Sequence, residues 1–176
     1  LHDALPIWAL QLAKVKVDRL VVVEKDPDCR RLNAVRWPGC DVWSDIEKLG
    51  KKDIERMMRS VPGITSVVAA GGSPCQGLSK LSCDRKHLED PRSKLFYCYS
   101  AVLGWIEEVA EEMQIWSLLA LENVLGDDED VAEMTGVLGS KPVLACASGL
   151  SRVRRPRLYW SNIRIEDHGS YTRAHY

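Results

Sequence analysis

The sequence predicts an α/β protein built on a doubly wound, mostly parallel sheet. Short runs rich in β-branched residues alternate with helix-period segments along nearly the whole chain. Residues of chemical interest recur at or just past the ends of those runs, where ligands bind in open α/β sheets. Length and composition agree with this class. A chain of 176 residues is one domain by the usual prior, and 45% hydrophobic with 28% charged residues is ordinary for a globular protein.

The elements follow in order. Trp8 to Lys14 has helical spacing, and Asp18-Arg19 leads into a strand from Leu20 to Val23, ending at Glu24. Asp26 to Arg36 is helical, closed by Trp37-Pro38-Gly39, and a short strand over Asp41 to Trp43 ends at Ser44-Asp45-Ile46. Lys51 to Ser60 reads as a polar helix. Pro62-Gly63 then turns into Ile64 to Ala70, too short and too β-branched for a typical helix. The apolar positions from Leu95 to Met113 recur at helical spacing as one wide stripe, which is core. A strand from Ile115 to Leu121 runs into Glu122-Asn123-Val124, and Asp127 to Leu138 is a short acidic helix. Pro142 to Cys146 and Leu158 to Ile163 read as the last two strands, placed as a hairpin.

Several function classes are disfavoured at once. No apolar stretch is long enough to span a bilayer, so no membrane partner is expected, and no secretory signal pattern stands out. The six cysteines include no CxxC pair, which argues against a zinc ribbon, and no metal site is expected. They read as reduced thiols of an intracellular protein. A formal net charge of −1 says nothing of nucleic acid by itself, so local clustering decides.

Cys75 stands out. GGSPCQG follows the strand ending at Ala70, and its glycines are expected to turn the backbone sharply there. A cysteine on a stiff loop at a sheet rim suits nucleophilic attack; a small core cysteine beside a turn fits the same residues equally well. Glu24, Asp45, Cys75 and Glu122 each fall at or just past a strand end, and four such coincidences make a site.

GGSPCQG, the later ENV at Glu122 to Val124, and RPRLYW at Arg155 to Trp160 resemble, in order, the signature blocks of DNA (cytosine-5) methyltransferases. DPRSKLF, VDRLVVVE and the SDI at Ser44 to Ile46 resemble further blocks, and the whole pattern is most similar to the animal de novo branch. The resemblance covers about residues 8 to 165. It implies an S-adenosylmethionine-dependent, Rossmann-like fold and methylation of cytosine C5 in DNA. Cys75 would add to C6, Glu122 would stabilise charge at N3 and the exocyclic amine, and Arg157 would meet O2 with Arg155 orienting it. Glu24 would bind the ribose, Asp45 the adenine amine and Ile46 the ring, with Pro74 and Leu95 lining the methionine part. On the bland reading, Glu24 and Asp45 are solvated strand-end acids and Glu122 is an acid near a helix N-terminus.

The basic segment carrying Arg152, Arg154, Arg155, Arg157 and Arg164 abuts these residues and is expected to meet DNA phosphates. The loop from Ser79 to Lys94, which includes Lys80, Arg85, Lys86, Arg92 and Lys94, is a second DNA-facing candidate, and Gln76 is a further expected nucleic-acid contact. Homo- or hetero-oligomers with related methyltransferase subunits are further candidate partners, in the nucleus of a eukaryotic cell or otherwise the cytoplasm. The family's glycine-rich first cofactor block and its target-recognition region have no counterpart in this sequence. The chain therefore reads as a fragment, with residues 1–7 non-native or disordered, 8–165 a partial catalytic domain, 166–176 a tail, and no methylation by this piece alone. Two other readings stay open: a transfer-RNA cytosine-5 methyltransferase, and a regulatory paralogue without catalysis. The second is expected to lose the nucleophile or the ENV acid, and both are here.

Overall fold

The computed structural model describes residues 5–73, 94–146, 148, 152 and 154–164. The chain divides into two compact units, residues 1–65 and 66–176. In the first, α1 (Leu5–Leu12) precedes β1 (Val21–Val23), α2 (Pro27–Arg36), β2 (Asp41–Trp43), a short 3-10 turn (Ile46–Lys48) and α3 (Lys51–Arg59). In the second, β3 (Ser66–Gly72), α4 (Lys94–Met113), β4 (Trp116–Asn123), α5 (Asp128–Leu138), β5 (Val143–Cys146) and β6 (Pro156–Ser161) follow.

Each unit contains a parallel strand pair joined through a helix. β1 pairs with β2 in parallel, Val21 opposite Asp41. β3 pairs with β4 in parallel over seven positions, from Ser66 opposite Trp116 to Gly72 opposite Glu122. A parallel pair needs a crossover, and α2 and α4 supply one in each unit. β6 then lies antiparallel between β4 and β5, giving the order β3-β4-β6-β5, so the last two strands pair as expected. The result is a mixed α/β, parallel-rich, Rossmann-like architecture.

Helix ends explain most differences from the expected boundaries. α1 starts three residues before Trp8, because Pro6 sits in the first turn, where its missing N–H removes no helical hydrogen bond. It ends early because Lys14 adopts φ 57°, with Val15 N bonded to Leu10 O and Lys14 N to Gln11 O. The same left-handed closure recurs at Gln114, φ 56°, with Ile115 N on Ala110 O. α2 is capped by Asp26, whose carboxylate accepts the Asp28 and Cys29 amides at 2.8 and 2.9 Å. In α3, Ile54 and Met58 are buried, and the Gly50 N–H donates to Asp53 at 3.1 Å.

The core of the second unit lies on one face of its sheet. Phe96 of α4, Leu121 of β4, Met134 of α5, and Leu158 and Trp160 of β6 form one buried cluster. Strand alternation puts Leu119, Leu121, Leu158 and Trp160 on the helix side and leaves Glu122, Arg157 and Tyr159 on the other. The α4 stripe is core as expected, with Phe96, Val102, Leu103, Ile106, Val109 and Ala110 all buried. Among the described residues, Cys29, Cys40, Cys98 and Cys146 form no disulfide, no helix is long and apolar enough to cross a membrane, and no metal-binding cluster occurs.

Trp160 is 1% exposed, and its Nε1 donates to Thr135 Oγ1 at 3.1 Å, tying β6 to α5. Trp160→Ala should destabilise the second unit by about 3–5 kcal/mol through cavity formation. Urea unfolding followed by circular dichroism measures the loss; a change within about 0.5 kcal/mol would contradict this placement of the core.

Candidate active site

Glu122 is the seventh residue of β4, and its neighbours are fixed by register: Gly72 on β3 and Tyr159 on β6. Arg157 lies two residues from Tyr159 on the same face, the diagonal cross-strand position that long side chains can reach. It does reach: Arg157 Nε lies 2.7 Å from Glu122 Oε1, with both side chains partly exposed. Arg157 Nη1 also donates to Pro156 O at 2.8 Å, which holds the guanidinium against its own strand. The two groups expected to meet different atoms of one ring are thus already paired to each other. Glu122 is a strand residue; α5 begins only at Asp128, so the reading as a helix N-terminal acid falls away.

The glycine pair works differently from the sequence expectation. Gly71 and Gly72 are the last two residues of β3, paired with Leu121 and Glu122, and neither takes a positive φ. They permit close approach, not a sharp turn. A Cβ on Gly71 would lie 3.2 Å from the Tyr99 hydroxyl, which donates to Ala120 O at 3.0 Å. A Cβ on Gly72 would lie 2.9 Å from Glu122 Oε2 and 3.1 Å from the Glu122 carbonyl oxygen. The Glu122 carboxylate therefore runs over the bare backbone of β3 on one side and meets Arg157 on the other.

Two further residues brace this end of the sheet, and motif reading had not singled them out. Asn123, 1% exposed, donates from Nδ2 to Ser73 Oγ at 2.8 Å and accepts Val124 N on Oδ1 at 2.7 Å. It ties the end of β4 to the residue that follows β3. Tyr159 stands opposite Glu122, and burial, then the Glu122 charge, push its hydroxyl pKa up, against the opposing effect of Arg157 and Arg155. Period-2 spacing from Arg157 was the available signal for Tyr159.

In the first unit, Glu24 directly follows β1, and its backbone N donates to Trp43 O at 2.9 Å. Its Oε1 accepts the Asp26 amide at 2.8 Å. Asp45 follows β2 by two residues and caps the 3-10 turn, accepting Glu47 N at 3.1 Å, with Ile46 beginning that turn. Because β1 and β2 are parallel, these two carboxylates lie at the same end of adjacent strands. Such a donor set fits a nucleoside: carboxylates held by backbone amides are suited to ribose hydroxyls and an adenine amine.

The remaining site candidates divide. Leu95 lies in the first turn of α4, partly buried. Arg152 and Arg154 are exposed and Arg155 is partly buried, just ahead of β6. Pro74, Cys75, Gln76, Ser79 and Lys80 lie outside the described residues.

No protein-family model matches the chain. The fold is shared with solved methyltransferases. The Schizosaccharomyces pombe Dnmt2 methyltransferase matches with a TM-score of 0.63 at 21% identity, over 92% of this chain and 49% of that one. A Spodoptera frugiperda DNMT2 mutant matches with a TM-score of 0.56 at 16% identity, over 87% and 44%. A putative DNA modification methyltransferase encoded within an Escherichia coli prophage matches with a TM-score of 0.53 at 21% identity, over 82% and 39%. The chain spans less than half the length of each. At these identities the likeness establishes the fold alone, a Rossmann-like α/β architecture.

Gly72→Ala tests the close approach. Glu122 Oε2 can swing away from an added methyl group, but the Glu122 carbonyl oxygen belongs to the ladder and cannot. The variant should lose about 1–3 kcal/mol of stability and separate Glu122 from Arg157. Denaturant unfolding and a crystal structure of the variant report both effects; an intact ion pair at wild-type stability would refute the steric account.

Proposed function

We propose that the protein takes part in methyl transfer from S-adenosylmethionine to C5 of cytosine in DNA, through a covalent adduct of Cys75 on a base turned out of the duplex. The observation that carries this reading is the Glu122–Arg157 pair on the sheet face away from α4 and α5, beside Gly72, from which the chain runs on toward Cys75. The order of GGSPC, ENV and RPRLYW, and a fold shared with methyltransferases, support it. The whole activity is proposed for the polypeptide that contains this chain.

Cytosine C5 is a weak nucleophile. Addition of the Cys75 thiolate to C6 would form an Sγ–C6 bond and pass the C5–C6 π pair toward C5, making it enamine-like. Charge that develops on the ring at N3 and O2 needs preorganised partners. Glu122 would hold a proton at N3 and accept from the exocyclic amine, while Arg157 would donate to O2. Their mutual ion pair keeps both side chains oriented before a base arrives, which lowers the reorganisation needed on binding. The target base must leave the stack to reach them.

S-adenosylmethionine supplies an electrophilic methyl group. Glu24 would accept from its ribose hydroxyls and Asp45 from its adenine amine, with Ile46 on the adenine ring and Pro74 and Leu95 along the methionine part. Arg152, Arg154 and Arg155, with Gln76, Ser79 and Lys80, would hold the DNA backbone; their contacts position the duplex and read no sequence.

A 5-fluorocytosine oligonucleotide traps such an adduct. With S-adenosylmethionine present, a polypeptide containing this chain should become covalently linked to the DNA at Cys75 and at no other cysteine. Mass spectrometry locates the bond, and a parallel arm with 5-fluorocytosine transfer RNA separates the substrates. An undiminished adduct in Cys75→Ser refutes the assignment, and preferential trapping of transfer RNA shifts the substrate class.

Cofactor and substrate roles also separate. Glu24→Ala and Asp45→Ala should each weaken S-adenosylmethionine binding by the equivalent of about 1–3 kcal/mol. Arg157→Ala and Glu122→Gln should leave that binding nearly unchanged and slow methyl transfer. Calorimetry and single-turnover rates read the two effects. Normal cofactor binding by Glu24→Ala would remove Glu24 from the site.

A further inference from the structure

The corner between β1 and α2 contains a side chain that no motif singles out. Arg30 is partly buried on the first turns of α2, and its Nη1 donates back to the carbonyl oxygens of Glu24 at 3.2 Å and Lys25 at 2.6 Å. These are the two residues directly after β1. On the other side, Asp26 N donates to Glu24 Oε1 at 2.8 Å.

The carbonyl of Lys25 and the N–H of Asp26 belong to the same planar peptide unit. Arg30 grips one edge of that plane, and the Glu24 carboxylate accepts from the opposite edge. Rotating the plane breaks both bonds together. Donation to the carbonyl also polarises the unit and strengthens its N–H as a donor. The neighbouring charges are engaged elsewhere: Lys25 with Glu47 at 3.5 Å, and Arg31 with Asp28. Asp26 spends its carboxylate on the N-cap of α2, so only its backbone serves Glu24.

We propose that Arg30 is a positioning residue for Glu24, acting through the Lys25–Asp26 peptide plane to aim the carboxylate. The use of that aim, contact with the cofactor's ribose, rests on the function proposed above.

Two measurements test this. In the ligand-free full chain carrying Asp26→Asn, which removes the carboxylate that would shift its own amide and keeps a capping oxygen, the amide proton at position 26 should shift as Glu24 titrates, and Glu24→Gln should abolish that shift. Arg30→Met should reduce the shift by at least half, and Arg30→Lys should restore part of it, since an ammonium can still reach a carbonyl. An unchanged shift in Arg30→Met, with the fold intact by circular dichroism, overturns the proposal. The second measurement is calorimetric binding of S-adenosylmethionine. Arg30→Met should weaken it about tenfold, and Glu24→Ala/Arg30→Met should bind no worse than Glu24→Ala alone. Additive losses would mean that Arg30 acts only on general stability and would overturn the positioning role. Normal binding by Glu24→Ala, with the amide coupling intact, would remove the ribose reading and leave the peptide-plane latch standing.

Discussion

When Ser66 to Gly72 pair in parallel with Trp116 to Glu122, most of the second unit is already decided. The ladder places Gly72, which has no side chain, beside the one carboxylate in β4, so Glu122 can lie across its neighbour's backbone. A shift of one residue would put Glu122 beside Gly71, opposite the Tyr99 ring, and would turn Leu121 out of the core. Hydrophobic alternation makes that slip costly, because Leu121 packs in one cluster with Phe96 and Met134, and Leu119 is buried on the same face. The apolar core thus sets the register, and the register delivers the polar pair.

β6 adds the second half of that pair by the same logic. Leu158 and Trp160 commit one face of the strand to the core, which leaves Arg157 and Tyr159 for the other. Register aims Arg157 at Glu122, and the bond to Pro156 O holds it there. It arrives diagonally opposite because the hydrophobic residues between and beyond it are buried. Asn123 then fastens the end of β4 to Ser73, so the strand that leads toward Pro74 and Cys75 is anchored where it leaves the sheet.

Charge is distributed in keeping with this geometry. α4 carries Glu107, Glu108, Glu111 and Glu112, and α5 carries Asp128, Glu129, Asp130 and Glu133, with Lys94 the one basic residue in the two helices. A helical layer of that sign repels a phosphate backbone. Arg152, Arg154, Arg155 and Arg157 cluster instead in and before β6. A near-neutral chain therefore conceals a strong local asymmetry of charge.

The sequence alone determined the alternation of strands and helices, the α4 stripe as core, and the order of the three blocks on which the proposed chemistry rests. Each of these depends on local pattern: period 2, period 3.6, or a short run of specific residue types. Tertiary structure decided what the residues do to one another. The glycines at 71 and 72 looked like turn residues because glycine is the usual turn former. They are strand residues because Tyr99 and Glu122, distant in sequence, occupy the space above them. Glu122 and Arg157, 35 positions apart in the chain, become partners only through the β4–β6 register. Arg30 has no signal in the sequence beyond its place in a helical segment, because only the folded-back turn brings two carbonyls within its reach. Local pattern specifies which backbone forms, and it cannot specify which side chains meet across strands, because pairing depends on a register that only burial of the opposite face enforces.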